Sequence, residues 1–520
     1  MKAKTLQIVW HGKEPVYSLD FHPSGILATG GADKDIKLWQ VHQLEDGSPA
    51  ATHMSSLSGH AKTVNCVRFS PNGSVLASAG DGGELLLWRP AASGAAAFGA
   101  EPGSSEPGWR ATTSLRGGHS DDVFDLAWAP DASALLSGSI ENICILWDVD
   151  AGKSRLRLDN HSHFVQGVAW DPARQFLVSQ SADRSCRVYG LKPPAAGKRA
   201  RPGAAPCIAT ARNFVCQTVL KKRGVPPGAA RATSAPQDAA APDPDTNPIS
   251  EFGARAGSAE HGKPAPLLQL FHDEGLNSFF RRLAWSPEGS LLAVPAGLFQ
   301  ARAGGPVQNA AYLYARGQWA APWLALPAHK PVVAARFCPV LFAAEPPAAQ
   351  DAPGAAAPAS TAPAAPASSA PTAPGRCLSY RMVLAVATMD SIVLYDAAAG
   401  GAPLALLGAL HPEPITDLAW SRDGRFLAAS SYDGYCSVAA FEPGELGRPL
   451  APEELPAHVA ALLPPDAQPA PAPSARSPAK AASPAVAKAG LSRPPPMRAP
   501  PIPCHPGCDS SNQRPGYEAA

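Results

Sequence analysis

The chain has 520 residues, with 44 basic and 43 acidic side chains and a formal net charge of +1. This balance excludes the general attraction to nucleic acid or membrane surfaces that a strongly basic protein would have. No run of about 18 apolar residues occurs, so we expect no membrane span, and because Met1-Lys2-Ala3-Lys4 leads straight into strand-like sequence we expect no signal peptide. The ten cysteines are scattered, which favours a reducing compartment.

One plan recurs along the chain: a histidine, a short apolar strand, a turn, a second strand, and an acidic residue followed six residues later by an aromatic residue. Four clear copies run from His11 to Trp39, from His60 to Trp88, from His119 to Trp147 and from His161 to Tyr189. The second copy has Gly82 at the acidic position, with Asp81 one place earlier. Three weaker copies run from about His272 to Tyr314, from His329 to Tyr395 and from His411 to Phe441.

A unit of this size cannot bury both faces of its sheet alone, so the copies must stack side by side and close into a ring. The sequence therefore predicts an all-β fold, a seven-bladed WD-repeat β-propeller, over residues 1–448. Residues 1–9 contain the strand-like Leu6-Gln-Ile-Val9. We expect them to add the outermost strand of the last blade, which would close the ring and remove its exposed edges.

The recurring histidine, hydroxyl, acidic and aromatic residues resemble catalytic groups. A repeated arrangement fits a structural framework better than an active site, so we interpret these residues as hydrogen-bond networks within the blades. The predicted network residues are Thr29, Asp33, Trp39, His119, Ser137, Trp147, His161, Ser179 and Asp183.

Alanine- and proline-rich stretches interrupt the repeats at about residues 90–110, 192–266 and 343–375, and a similar tail spans 449–520. Such sequences cannot bury a core, so we expect them to be disordered. When the strands of each repeat are counted, all three insertions fall in loops that should lie on the same face of the ring. The opposite face would then be clear for docking.

Blade five differs from the others because Leu298 to Gln308 replaces its tight acidic turn with a longer loop. Beside it lie Phe279, Phe280, Arg281 and Arg282, residue types that are enriched at interaction hot spots. One hypothesis is that the two arginines dock an acidic partner segment. The other is that the phenylalanines belong to the blade core and the arginines are solvated.

Several stretches carry residues that a generic WD repeat does not require: Lys13–Phe21, Phe164–Pro172, Ser278–Leu292, Tyr380–Thr388 and Ser430–Ser437. In these stretches the chain resembles the middle, WD-repeat subunits (the B-type or p60-type subunits) of chromatin assembly factor 1. The resemblance spans most of residues 1–448.

The resemblance implies a nuclear complex with a large and a small subunit that deposits histones H3 and H4 on newly replicated DNA. The propeller subunit would be a non-enzymatic scaffold that contacts DNA only indirectly. It also implies docking of the anti-silencing-function histone chaperone by a tail segment. Residues 450–520 depart from that pattern, and Leu491–Arg498 is only a poor candidate for the segment.

Smaller signals lie outside the repeats. Ser477 and Ser483 each precede proline in the tail and are candidate phosphorylation sites. The basic runs Lys198–Arg201 and Lys221–Arg223 are candidate nuclear-import signals or simply solvated loops. Cys504, His505 and Cys508 are too few for a closed zinc site, so we predict no metal and no cofactor.

Two other functions are compatible with the predicted fold, because a fold alone does not determine function. A WD-repeat substrate receptor of a ubiquitin ligase is the main alternative. A propeller hydrolase would need polar or metal-binding residues that converge on the central channel, whereas the sequence repeats only framework residues.

Overall fold

The computed structural model describes residues 1–91, 108–115, 117–191, 214–225, 266–344, 379–460 and 462. Within these ranges the strands form seven four-stranded antiparallel sheets and one two-stranded sheet. The predicted seven-bladed propeller is therefore confirmed. No described helix is long and apolar enough to cross a membrane.

Each of the first four blades has four strands that follow one another from the centre of the ring outward. Blade one comprises β2 (Val16–Phe21), β3 (Ile26–Gly31), β4 (Ile36–Gln43) and β5 (Pro49–Leu57). Blade two comprises β6 (Val64–Phe69), β7 (Leu76–Gly80), β8 (Leu85–Pro90) and β9 (Trp109–Leu115). Blade three comprises β10 (Val123–Trp128), β11 (Ala134–Ser139), β12 (Cys144–Asp148) and β13 (Lys153–Leu158). Blade four comprises β14 (Val165–Trp170), β15 (Phe176–Ser181), β16 (Ser185–Leu191) and β17 (Phe214–Leu220).

A two-stranded sheet of β18 (Lys222–Gly224) and β19 (Leu267–Gln269) precedes the remaining blades. Blade five comprises β20 (Ala284–Trp285), β21 (Leu291–Phe299), β22 (Gln308–Ala315) and β23 (Leu324–Ala328). Blade six comprises β24 (Val332–Ala343), β25 (Tyr380–Thr388), β26 (Ser391–Asp396) and β27 (Ala402–Gly408). Blade seven comprises β28 (Ile415–Trp420), β29 (Phe426–Ser431), β30 (Cys436–Ala440) and β1 (Lys2–Leu6).

The ring closes through β1, which pairs antiparallel with β30 from Lys2 opposite Ala440 to Leu6 opposite Cys436. Both ends of the propeller therefore share one sheet, as the sequence predicts. The strand begins earlier than the predicted Leu6–Val9 segment. Pairing of the first strand with the last blade completes that four-stranded sheet and links the two ends of the ring.

The apolar core is divided among the blade interfaces. Its seven described clusters each join two neighbouring blades, and one of them packs Val64 and Phe69 of blade two against Ile36 of blade one. Every residue of β6, β14 and β28 is buried, because an inner strand has a neighbouring blade on both faces. Outer strands such as β27 are mostly exposed and alternate in burial.

Two predicted boundaries of disorder are wrong. The outer strand of blade four is β17, inside the predicted insertion 192–266, whereas residues 267–269 pair with β18. The outer strand of blade two begins at Trp109, inside the predicted insertion 90–110. These two outer strands could not be recognised from the sequence because alanine- and proline-rich stretches flank them.

The same correction divides the predicted insertion 192–266 along the sequence. The described strand β17 separates residues 192–213, which follow β16, from residues 226–265, which follow β18 and precede β19. Both stretches lie outside the described residues, so the expectation that all three insertions lie on one face of the ring stays a prediction.

The chain continues along the propeller beyond residue 448. Leu450 donates its backbone N–H to Leu341 O at 2.9 Å, next to a bridge between Phe342 and Pro449. A 3-10 turn (Pro452–Glu454) and a short helix, α1 (Ala457–Ala460), follow, and Val459 is fully buried against blades five and six. The predicted tail, 449–520, therefore starts too early. Its remainder lies outside the described residues.

Candidate docking surface

Blade three contains a continuous chain of side-chain hydrogen bonds. Trp147 Nε1 donates to Ser137 Oγ at 2.8 Å, and Ser137 Oγ lies 2.7 Å from His119 Nε2. The other ring nitrogen, His119 Nδ1, lies 3.0 Å from a carboxylate oxygen of Glu141. The register between β11 and β12 and the loops at their ends place these four side chains together.

These distances fit a neutral imidazole. The indole N–H occupies one lone pair of the Ser137 hydroxyl, so the hydroxyl proton is free to point at His119 Nε2, and Nδ1–H then donates to Glu141. Burial lowers the pKa of His119. Burial raises the pKa of Glu141, but hydrogen bonds from Ser120 and His119 outweigh it and lower that pKa overall. Every donor and acceptor is used within the blade, which suits a structural role.

Blade one contains the same arrangement. His11 Nδ1 lies 2.6 Å from an oxygen of Asp33, and His11 Nε2 lies 2.8 Å from Thr29 Oγ1. Trp39 Nε1 donates to the same hydroxyl at 2.9 Å. The structure thus brings together all three residues that we predicted for this blade.

Blade four repeats the arrangement with one change. His161 lies 2.9 Å from Asp183 and 2.6 Å from Ser179. Tyr189 takes the place of the tryptophan, and its hydroxyl is 3.4 Å from Ser179 Oγ, which makes the last contact weak. Burial lowers the pKa of His161. Despite partial burial, the hydrogen bond from His161 lowers the pKa of Asp183 strongly.

Blades two and seven reach the same geometry with residues that the spacing did not identify. In blade two, His60 Nδ1 lies 3.5 Å from Glu84, and neither Gly82 nor Asp81 takes that place. Asp81 instead accepts from Asn65 Nδ2 at 2.8 Å. In blade seven, Ser437 of β30 supplies the hydroxyl next to His411, at 2.8 Å from Nε2. Glu84 lies two residues after Gly82, and Ser437 lies on β30 opposite Ala429 of β29.

Blade five is built differently. Its inner strand, β20, has two residues, and the segment before it leaves the blade. Arg281 donates its backbone N–H to Gln166 O of blade four, and Arg282 donates to Val333 O of blade six. A Cβ at Gly167 would lie 1.8 Å from Arg281 O, so only glycine allows this approach. The segment therefore runs between the inner strands of its two neighbours.

Both arginines of this segment are fully buried, so neither the solvated pair nor the exposed docking pair that we considered is correct for Arg281 and Arg282. Arg281 donates to the backbone oxygens of Ser181, His272 and Asp273. Burial lowers the pKa of Arg281 to about 10, which leaves the group charged at neutral pH. The N–H groups of the Arg281 guanidinium therefore fix the segment that leads from blade four to blade five.

Arg282 crosses the centre of the ring. Its guanidinium donates to the backbone oxygens of Tyr17, Asn65 and Phe124, on the inner strands of blades one, two and three. It also donates to Asp125 at 2.6 Å. One side chain from blade five thus binds three other blades at their innermost strands, which no pattern local to blade five could predict.

Further charges surround Arg282. Asp417 of blade seven lies 2.8 Å from Arg68 and 3.2 Å from Arg336, and Asp125 lies 3.5 Å from Arg68. Although Asp417 is buried, its three arginine neighbours lower its pKa strongly. Asp20, at the edge of this cluster, has its pKa raised to about 6, chiefly by burial. We call these six residues, Asp20, Arg68, Asp125, Arg282, Arg336 and Asp417, the central charge cluster.

Aromatic side chains cover one end of the central charge cluster. Phe280 is buried, with the Arg282 guanidinium 4.4 Å from its ring centre, and its ring centre lies 5.8 Å from that of Tyr17 and 6.5 Å from that of Tyr432. Phe279 stacks on Phe124 with ring centres 5.4 Å apart and planes 10° apart. We call the five aromatic residues the aromatic mouth. Phe279 is its exposed member, with 52% of its surface accessible.

Bulges in the inner strands explain why these rings converge. The pairing of β2 with β3 skips Tyr17, and the pairing of β10 with β11 skips Phe124. A bulge leaves one residue outside the ladder and redirects its side chain. The same skip occurs at Asn65, Gln166, Val333 and Thr416. The bulged residues form a ring at the face where the inner strands begin, which we call the entry face.

Other predicted features fall elsewhere. Ser477, Ser483, the run Lys198–Arg201 and the Cys504–Cys508 segment lie outside the described residues. The run Lys221–Arg223 belongs to the start of β18, where Arg223 donates to Gln300 O at 2.6 Å and lies over the Phe299 ring. In the described ranges, no group of three or more histidine, cysteine or acidic side chains could hold a metal ion.

The sequence profile of the CAF1B/HIR1 beta-propeller domain matches residues 1–215 and 254–446. The chain belongs to this family. The chromatin assembly factor 1 subunit FAS2 homolog of Oryza sativa subsp. japonica is 38% identical over 453 residues, which cover 86% of this chain and 74% of the relative. The B-type subunit of chromatin assembly factor 1 from Mus musculus is 34% identical and covers 86% of this chain and 68% of the relative. Its counterpart in Saccharomyces cerevisiae is 32% identical, covering 85% and 86%.

These similarities confirm the predicted resemblance and support a chromatin assembly role for this CAF1B/HIR1 propeller. Sequence reasoning identified the blade networks but missed the central charge cluster. A signal was present: Arg68, Asp125 and Asp417 each place a charge in an inner strand that is mostly apolar. A charge in a strand buried on both faces requires a partner, and only the closed ring shows which one.

Proposed function

We propose that this CAF1B/HIR1 propeller is a non-enzymatic scaffold subunit of a nuclear histone chaperone complex, which deposits histones H3 and H4 on newly replicated DNA. The observation that carries the proposal is the similarity to B-type subunits of chromatin assembly factor 1 and the FAS2 homolog over 85–86% of the chain, at 32–38% identity. Its partners would be the large and small subunits of the complex and the histones.

The structure supports a scaffold role in two ways. The histidines and acidic residues of the blade networks hydrogen-bond to other residues of the same blade, as His119 and Glu141 do. The aromatic mouth presents an exposed Phe279 on a rigid base, which suits binding of another protein. The near-zero net charge supports indirect contact with DNA through partners. The proposal assigns docking of the anti-silencing-function chaperone to no described segment.

The proposal is tested by purifying the tagged full-length chain from its own cells after nuclease treatment and identifying the bound proteins by mass spectrometry. We expect a large charged subunit, a small subunit and histones H3 and H4 in fixed proportion. Nuclease treatment removes histones that are retained only through DNA. Recovery of a cullin-type adaptor without histones would reject the proposal in favour of a ubiquitin-ligase receptor.

A further inference from the structure

The loops around the aromatic mouth are strongly acidic on one side. On the entry face, blades one, two, three and seven contribute the loops 7–15, 32–35, 58–63, 81–84, 117–122, 140–143, 409–414 and 432–435. These described loops contain ten acidic and three basic residues. The whole chain is nearly neutral, so this excess of negative charge is local.

Two of these acidic residues are fixed at the entry face by hydrogen bonds: Asp81 accepts from Asn65 Nδ2, on the bulge of β6, at 2.8 Å, and Asp122 accepts from Gly82 N–H at 2.8 Å. The pKa of Tyr17 is raised by burial and by the negative charges of Asp81 and Glu14. The pKa of Asp122 is raised by burial and, further, by Asp81 and Asp121, although its hydrogen bond from Gly82 opposes this shift. Mutual repulsion of this kind has no structural benefit for the free protein, and a cation placed among these carboxylates would relieve it.

The apolar part of the surface is preformed. Phe279 stays exposed because its other face is held by Phe124, and Phe124 is itself fixed by the bulge and by contact with Phe280. A rigid aromatic ring that is half exposed offers an apolar contact and a π face to a cation at little cost in conformational entropy. The positive charge of Arg282 is buried below Phe280 and bound to Asp125, so it does not offset the acidic loops at the surface.

We propose that the aromatic mouth and its acidic loops bind a basic, extended peptide segment of a partner protein, with a lysine, arginine or apolar side chain seated on Phe279. The sign of the charge selects this partner. An acidic segment, which the sequence alone suggested for this blade, would be repelled, and so would the phosphates of nucleic acid. The proposal does not depend on the function proposed above, since it concerns only the chemistry that this face recognises.

The test measures binding of two fluorescein-labelled 15-residue peptides to the full-length chain by anisotropy. One peptide contains six Lys or Arg residues around a central leucine, and the other has Glu at those six positions. We expect binding of the basic peptide alone, with an affinity that falls about tenfold or more between 50 and 300 mM salt because the interaction is electrostatic. Equal binding of both peptides would overturn the proposal.

Two pairs of variants test whether the basic peptide binds at the aromatic mouth and its acidic loops. Phe279→Ala should weaken binding of the basic peptide about tenfold or more, as expected for a hot-spot anchor. Leu406→Ala, which removes another exposed apolar side chain on the outer strand of blade six, should leave the affinity unchanged. Glu14→Gln with Asp121→Asn should weaken binding and flatten its salt dependence, whereas Asp150→Asn, an exposed carboxylate between β12 and β13 on the opposite face, should do neither. Full affinity in Phe279→Ala, at an unchanged Tm, would reject the site.

The chain's own C-terminal segment is the competing occupant. Residues 474–498 contain five Lys or Arg residues and no acidic residue. A synthetic peptide of this sequence serves as a third probe. If it bound more tightly than the basic peptide and lost affinity with Phe279→Ala, the surface would belong to that segment, and the assignment to a partner protein would be overturned.

Discussion

Blades three and five occupy equivalent places in the ring but are held in different ways. In blade three, His119, Ser137, Trp147 and Glu141 bind one another within a single sheet and its loops. In blade five, Val294 and Tyr314 stand where Ser137 and Trp147 stand in blade three. Blade five instead sends Arg282 to the inner strands of three other blades.

A blade can therefore exchange a local framework for a long-range one. A local network can be recognised from spacing along the chain, because its members lie within one repeat. A long-range network joins residues from opposite sides of the ring, and only the closed propeller brings them together. The blade with the shortest inner strand therefore contributes a side chain that joins three other blades.

The comparison predicts its largest effect at Arg282. Arg282→Met would remove the closest cation from buried Asp125 and the donor to the backbone oxygens of Asn65 and Phe124. Removing one partner of a buried ion pair typically costs about 3–5 kcal/mol, and each orphaned buried acceptor adds about 1–3 kcal/mol. We expect the free energy of unfolding to fall by about 5 kcal/mol or more, or the variant to be insoluble. The measurement is urea unfolding followed by tryptophan fluorescence.

The control for this variant is Arg448→Ala, which removes an exposed arginine paired with Glu454. Exposed ion pairs contribute little to stability, so its urea midpoint should match that of the wild type. An Arg282→Met protein with a wild-type midpoint would show that the blades do not need the central contact, and the contrast between local and long-range frameworks would fail.

The second effect tests the local framework. Trp147→Ala removes a fully buried indole that both packs between blades and donates to Ser137. Such truncations cost about 3–5 kcal/mol, so we expect a large drop in the free energy of unfolding. Leu406→Ala, at an exposed position, provides a loss of apolar volume outside the core. Equal midpoints for these two variants would contradict the framework role of the network.

These cases also show how far the sequence predicts the molecule. The spacing of His11, Asp33 and Trp39 predicts both the blade and its network, because the geometry of a hairpin is local. Burial of Arg281 and Arg282 could not be predicted, since their partners lie up to about 265 positions away along the chain. The strand β17 was missed because its seven residues stand between two low-complexity stretches, where composition outweighs alternation.

A third prediction is that the histidine networks of blades three and four lose stability at low pH, whereas the arginine contacts of blade five do not. Burial lowers the pKa of His119 and His161 below the ordinary value of 6.5, so the unfolded chain takes up protons there more readily than the folded chain. Stability contributed by these networks is therefore present above pH 6.5 and is lost as pH falls below it. The arginine contacts of blade five stay charged throughout this range. Hydrogen exchange at pH 7.0 and 5.5 should show lost protection in β11 and β15 before β21.

Asp20 changes stability with pH in the direction opposite to that of the histidines, so its effect must be measured separately. Its pKa is raised to about 6, so the folded chain binds a proton more readily than the unfolded chain, and its contribution to stability falls as pH rises from about 4 to 6. Asp20→Asn removes this opposing dependence. The loss of Tm on acidification should therefore be steeper in the variant than in the wild type. Uniform loss of protection in all blades would show that pH does not distinguish the two frameworks.

The smallest effect is predicted in blade five itself, at two tyrosines of β22. The hydroxyl of Tyr314 is buried and has no hydrogen-bond partner among the described residues, whereas the Tyr312 hydroxyl donates to Leu298 O. Removing an unpaired buried hydroxyl abolishes a desolvation cost, and removing a paired one leaves an acceptor unsatisfied. Tyr314→Phe should therefore leave the free energy of unfolding unchanged or raise it slightly, while Tyr312→Phe should lower it by about 1 kcal/mol. The two variants differ by one hydroxyl each, in the same strand, so urea midpoints compare them directly. A loss at Tyr314 as large as that at Tyr312 would mean that blade five keeps a local polar network after all, and that its departure from blade three is smaller than its arginines suggest.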